Sequence, residues 1–205
     1  MSSPFEGGKI PLPHHWKHPP SWALERVMEM GREGVEDVGK EMTDPDDDWH
    51  SIMLCQSKSG DGIIVAMDPD FFASPAGKDR LADEVLPKII RSQGVVAFAL
   101  VMSTWFLSTD EIARVRGVSL DEAGEEVKAY QAAGGLPSGH PLRMEMVLVQ
   151  GMTSQRAVLD QAIIDRHQGA PPTLRPWQRL TVGEDGFTYT GRFVESLRQA
   201  LAPQG

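Results

Sequence analysis

The chain has 205 residues, with 29 Asp or Glu against 20 Lys or Arg and a formal charge of −9. Hydrophobic residues at 40% and charged residues at 24% allow a core of ordinary size and exclude wholesale disorder. The acidic balance argues against a generic binder of nucleic acid or anionic lipid, and the single cysteine, Cys55, excludes an intrachain disulfide and a multi-cysteine zinc site.

Residues 1–20 are rich in Pro and Gly and read as an irregular arm ahead of one domain, 21–205. Ser21 is placed to cap a helix over 22–41, whose apolar stripe is Leu24, Val27, Met28, Val35, Val38 and Met42. Thr43 to Asp48 is a turn or loop. Ile52–Gln56 and Ile63–Met67 flank Ser59-Gly-Asp-Gly62, the chemistry of a hairpin. Ser74-Pro75 starts a second helix with Leu81, Val85, Leu86, Ile89 and Ile90 on one side; Gly94 ends it and Pro87 predicts a kink. Val95 to Leu107 is apolar at successive positions, the pattern of a strand buried on both faces.

A helical insertion is expected over 109–133, its second helix opened by the capping box Ser119-Leu-Asp-Glu122. After a loop through Pro141, Arg143–Gln150 and Arg156–Arg166 read as strands joined by a turn at Met152–Gln155. A loop from Ala170 to about Trp177, a short hairpin around Glu184–Gly186 and a helix from about Arg192 complete the chain. Helices interspersed with hairpins, without strict alternation, predict an α+β domain with a mostly antiparallel sheet.

No apolar run approaches the roughly 18 residues of a membrane span. The first residues carry no basic-then-apolar signal pattern, so a cytoplasmic location and no membrane partner are expected.

Four segments invite chemistry. Ser108 to Ser119 resembles a helix-turn-helix at Ala113, Gly117, Val118 and Ser119, although Arg116 falls where an apolar residue should close the first helix. The helix in recognition position opens with Asp121, Glu122, Glu125 and Glu126, the wrong charge for a phosphate-lined groove, so nucleic acid is disfavoured on that ground. The global charge is a weaker argument, because the acidity is local: Glu29–Asp48 holds nine carboxylates against Arg32 and Lys40.

His14-His15-Trp-Lys-His18 has helical chelating intervals, but Pro11, Pro13, Pro19 and Pro20 deny it a helix. Asp44-Pro-Asp46-Asp-Asp48 begins like a calcium loop yet places Trp49 at the sixth position and Cys55 at the twelfth, where glycine and glutamate are needed. No metal is therefore expected. Phosphate-binding glycine loops and nucleophile elbows are missing, so no cofactor is expected, and Cys55 among apolar neighbours reads as inert.

The fourth segment is Pro137-Ser-Gly-His140-Pro-Leu-Arg143-Met-Glu145. Arg143 and Glu145 alternate onto one face of a strand, and His140 precedes them in a loop stiffened by prolines. An imidazole beside a carboxylate suits acid–base work, which makes His140 and Glu145 the candidate catalytic pair. Arg143 is the candidate for holding an anionic substrate and Trp105 for walling the pocket. The structural alternative is an Arg–Glu pair on the sheet and a histidine that fixes a turn. A strand reading Phe98-Ala-Leu-Val-Met-Ser-Thr-Trp105, followed after an insertion by Pro-Ser-x-His-Pro-x-Arg-x-Glu, resembles a loose group of uncharacterised bacterial and phage proteins. The group's strand tends to read Ser-Glu-Ala-Trp where this chain has Met-Ser-Thr-Trp. The resemblance spans roughly 52–177 and implies the architecture and the choice of site, but no activity.

These patterns place first a non-catalytic binding or assembly role, with an unknown protein partner or self-association through the N-terminal arm. The alternative is a small acid–base enzyme acting on an anionic substrate through His140, Glu145 and Arg143. A DNA-binding adaptor through 109–128 stands third.

Overall fold

The computed structural model describes residues 9–11, 20–180 and 192–202. Strands β1 (Lys9–Pro11), β2 (Ile52–Ser57), β3 (Asp61–Ala66), β4 (Val95–Phe106), β5 (Met144–Thr153), β6 (Ala157–His167) and β7 (Ala170–Leu174) form one sheet in the order β1-β3-β2-β4-β5-β6-β7. A further strand, β8 (Gln178–Leu180), pairs with β6 on the flank that β7 also uses. Every pairing is antiparallel. Helices α1 (Pro20–Glu41), α2 (Pro75–Arg80), α3 (Leu86–Gln93), α4 (Thr109–Arg116), α5 (Leu120–Ala132) and α6 (Arg192–Leu201) complete an α+β arrangement.

The central strand behaves as its sequence requires. Phe98 and Leu100 of β4 point into a core with Met53, Met152, Leu81, Leu86, Ile90 and Leu197, roofed by α3 and α6. Ala97, Ala99 and Val101 point the other way, onto Leu24, Val27, Met28 and Val35 of α1. The small side chains on this second face let α1 lie close. A Cβ on Gly31 would sit 2.7 Å from Val149 Cγ1, and one on Gly151 would run into Met28 and meet Leu24 Cδ1 at 2.8 Å. Glycine at both positions is thus a packing requirement, which resolves why α1 tolerates a residue that weakens helices by about 1 kcal/mol.

Electrostatics secure the same helix. Asp160 of β6, 1% exposed, takes Arg179 Nε at 2.8 Å and Nη2 at 3.1 Å and also pairs with Arg32 of α1. Trp49 donates its indole N–H to Val35 O at 2.8 Å, which closes the loop after α1 back onto the helix.

Three details differ from expectation. Ala170–Leu174, expected as loop, is strand β7, paired Ile164↔Leu174, Asp165↔Thr173 and His167↔Ala170. Pro171 and Pro172 lack an N–H, yet no strand pairs with the outer side of β7 among the described residues, and an edge is where proline is tolerated. The arm is not wholly irregular, because Lys9–Pro11 pairs with β3. The helix carrying Pro87 is continuous from 75 to 93 but widens into a π-turn over Leu81–Val85, where Leu86 N–H bonds to Leu81 O. The widened turn places Pro87 at the start of α3, where a missing N–H is tolerated. The hairpin expected around 184–186 and the histidines of the arm lie outside the described residues.

The 109–133 insertion is a helical hairpin. Ser108 Oγ accepts from Glu111 N–H at 3.2 Å, Gly117 turns the chain at φ 69°, and the Ser119–Glu122 capping box is formed in both directions. Arg116, the residue out of place for a helix-turn-helix, reaches Glu126 of α5 at 3.3 Å. It ties the hairpin together on its outside, where no apolar residue is needed. Ile112, Ala113 and Ala123 form a small separate core with Leu107 and Leu142. Among the described residues, no helix is long and apolar enough to cross a membrane.

Candidate functional site

The side chains of β4 alternate, so Ser103 and Trp105 continue the α1-facing row begun by Ala97, Ala99 and Val101. In β5 the same row is Glu145, Val147 and Val149, because Trp105 pairs with Glu145 and Val101 with Val149. In β6 it includes Ala162 and Ile164 and then, by alternation, Arg166. Helix α1 ends at Glu41, and beyond it the 43–48 loop reaches the row. There the face opens into a cleft of about 340 Å3, lined by Asp46, Asp48, Ser103, Thr104, Trp105, Glu145 and Arg166.

The floor of the cleft is an ion pair with a buried carboxylate. Glu145, 5% exposed, receives Arg166 Nε on Oε2 at 2.8 Å and Nη2 on Oε1 at 2.9 Å. The remaining guanidinium N–H groups hold the loop: Nη1 donates to Pro45 O at 3.1 Å and to Asp47 O at 2.6 Å, and Nη2 lies 3.4 Å from Asp48 Oδ1. The hydrogen-bonded Glu145 carboxylate pushes the Arg166 pKa further up, so this cation is permanent. The loop is also internally braced, since Asp47 Oδ2 accepts the N–H groups of Thr43 and Asp44, each at 2.9 Å. Those two backbone donors hold the Asp47 carboxyl below the usual carboxylate range. The acidic run that begins like a calcium loop is thus a hydrogen-bonded turn after α1. Among the described residues, no three His, Cys, Asp or Glu side chains are grouped to hold a metal.

Trp105 forms one wall and is 37% exposed, high for an indole in the row of a core strand. The Arg143 guanidinium sits 4.7 Å from the indole centroid, a cation–π contact that fixes both side chains. Trp105, Arg143 and Glu145 are therefore brought together.

His140 is placed elsewhere. It is 3% exposed, packs edge-on against Tyr130 of α5 with centroids 4.8 Å apart, and accepts Leu142 N–H on Nδ1 at 3.1 Å. With Nδ1 accepting, the proton of a neutral ring lies on Nε2, which faces Glu126 at 3.7 Å. The ring joins the turn before β5 to α5, and it is not among the residues lining the cleft.

Comparison with family models, with curated proteins and with solved structures finds no match for this chain.

Sequence reasoning overlooked Arg166, Asp46, Asp48, Ser103 and Thr104. The signal for Arg166 lay in the hairpin. Thr153 N–H bonds Arg156 O at 2.7 Å, so the loop is the two residues Ser154-Gln155, one later than the expected turn. That turn sets the pairing Glu145↔Ile164 and puts Arg166 two residues further along the same face. Cys55 is buried in the first core, and burial pushes its thiol up to about 12, so it is no nucleophile at neutral pH.

Proposed function

We propose that the protein is a non-catalytic binding or assembly component that holds a partner in the cleft between the 43–48 loop and the end of β4. The observation that carries this reading is the state of Glu145. Both of its oxygens accept from one guanidinium that also clamps the loop, so the carboxylate is engaged in holding the structure together. A general acid or base needs an exchangeable proton within reach of substrate, and the imidazole that would relay it is packed into a turn. What the cleft offers is an exposed indole, two hydroxyl-bearing side chains and the carboxylates of Asp46 and Asp48. These are recognition groups.

On this reading the protein works in the reducing cytoplasm, a setting compatible with its lone buried thiol. The test is photocrosslinking in the cells of origin, with p-benzoylphenylalanine placed at position 103 in the cleft or at position 38, the exposed outer side of α1. A discrete adduct is expected from position 103 alone, and Trp105→Ala should abolish it. Adducts from position 38 alone, or equal nonspecific labelling from both, would overturn the assignment.

A further inference from the structure

β4 is longer than its neighbour. β2 pairs with it only from Val95 to Val101, the last pair being Ile52↔Val101, whereas β4 continues to Phe106. Just before Ile52 the chain turns away: Ser51 O accepts Met67 N–H at 2.9 Å, on the side of β3. Among the described residues, then, no strand pairs with Met102–Phe106 on the flank opposite β5. The cleft adjoins this divergence, lined by Ser103, Thr104 and Trp105 of β4 and by Asp46 and Asp48 of the loop after α1.

Unpaired strand edges are templates for pairing with another chain, and proteins usually guard them. Among the outer strands, β1 carries Pro11, β7 carries Pro171 and Pro172, and the short β8 carries the charged Arg179. The free stretch of β4 reads Met-Ser-Thr-Trp-Phe and has neither proline nor charge. The loop that shares the cleft with it is acidic. Asp46 makes no ion pair among the described residues and Asp48 shares Arg166 with Glu145, so three lining carboxylates face one lining cation, with Arg143 held against Trp105 beside them.

We propose that the cleft takes an extended peptide segment of a partner protein, which adds as a strand along Met102–Trp105 with Lys or Arg at alternate positions facing Asp46 and Asp48. This rests on the binding reading above and names the partner's chemistry. Strand addition takes its affinity from main-chain hydrogen bonds and its specificity from alternate side chains. The alternating row on β4 places Trp105 and Ser103 on the side of the two aspartates. Basic side chains on that side of an added strand would meet the two carboxylates.

The test pans the full chain against a random peptide library and then scans a selected peptide by backbone N-methylation, with binding read by fluorescence anisotropy. Selected peptides should carry Lys or Arg at every second position and no central proline. N-methylation at every second residue should weaken binding about ten-fold or more, and at the intervening residues about two-fold or less. Asp46→Asn with Asp48→Asn should also cost about ten-fold. Tolerance of N-methylation at every position, selection of acidic or proline-rich peptides, or selection of none whose binding is lost in Trp105→Ala would overturn the proposal. If the adduct from position 103 persists in those cases, strand addition fails while the binding reading stands. If that adduct is absent, both fail.

Discussion

Glu145→Gln separates a structural carboxylate from a working one. The substitution preserves shape but replaces two charge-assisted hydrogen bonds with one neutral acceptor and turns an amide N–H2 toward a guanidinium that can only donate. Removing one partner of a buried pair costs about 3–5 kcal/mol. The Arg166 side chain is 32% exposed and keeps Pro45 O, Asp47 O and Asp48, so part of the loss is recovered through water and the loop. A cost of about 2–3 kcal/mol follows, or roughly 4–12 °C in Tm for a domain of this size. Urea and thermal unfolding followed by circular dichroism give both quantities. Glu145→Leu, which removes the polar group altogether, should also destabilise, because it leaves Arg166 facing an apolar side chain. A carboxylate kept for chemistry behaves oppositely, since such groups are held against stability and their neutralisation is often neutral or stabilising. A Glu145→Gln protein within about 0.5 kcal/mol of the parent, or more stable than it, would refute the structural assignment.

Gly31→Ala should destabilise by about 1–3 kcal/mol through the contact with Val149, and Val149→Ala should recover part of that loss in a double-mutant cycle read by urea unfolding. Cys55 should resist a disulfide-exchange thiol reagent at pH 8 in the folded chain and react fully in denaturant; fast native reaction would contradict its burial. Asp165 accepts two hydrogen bonds from Arg175 Nε and one from Nη2, which lower its pKa. The stability it confers is therefore present above the ordinary aspartate value and lost as pH falls through the lower folded value. Asp165→Asn should flatten the acid limb of the stability curve below about pH 4 while changing its neutral slope little.

Much of the fold was legible because local patterns and long-range packing agree. The doubly apolar run of β4, the glycine turn before β3, the Ser74-Pro75 start and the Ser119–Glu122 box each encode one element and its limits. β7 was not legible, because its two prolines are poor strand residues locally and only its edge position excuses them. The site was half legible. Glu145 pairs directly with Trp105 near the end of the buried strand, so their shared face follows from the strand pattern, while Arg143 lies one residue before β5 and reaches the indole from the turn. Arg166 and the two aspartates arrive from β6 and from the loop after α1, and the face that Arg166 takes depends on a hairpin loop length that one residue more or less would reverse. His140, three residues before Arg143, is held away from the cleft by its own ring contacts, with Nδ1 accepting Leu142 N–H and the ring packed on Tyr130.

Residue-resolved hydrogen exchange on β4, in the chain alone and with a peptide selected on the cleft, tests the central claim most directly. In the free chain the inward amides of Val95–Val101 should be protected, and those of Met102–Phe106 that face away from β5 should exchange quickly. Binding should protect those same outward amides. Protection that instead appears at the exposed Val115, Val118 and Leu120 of the helical hairpin, with Met102–Phe106 unchanged, would contradict the account.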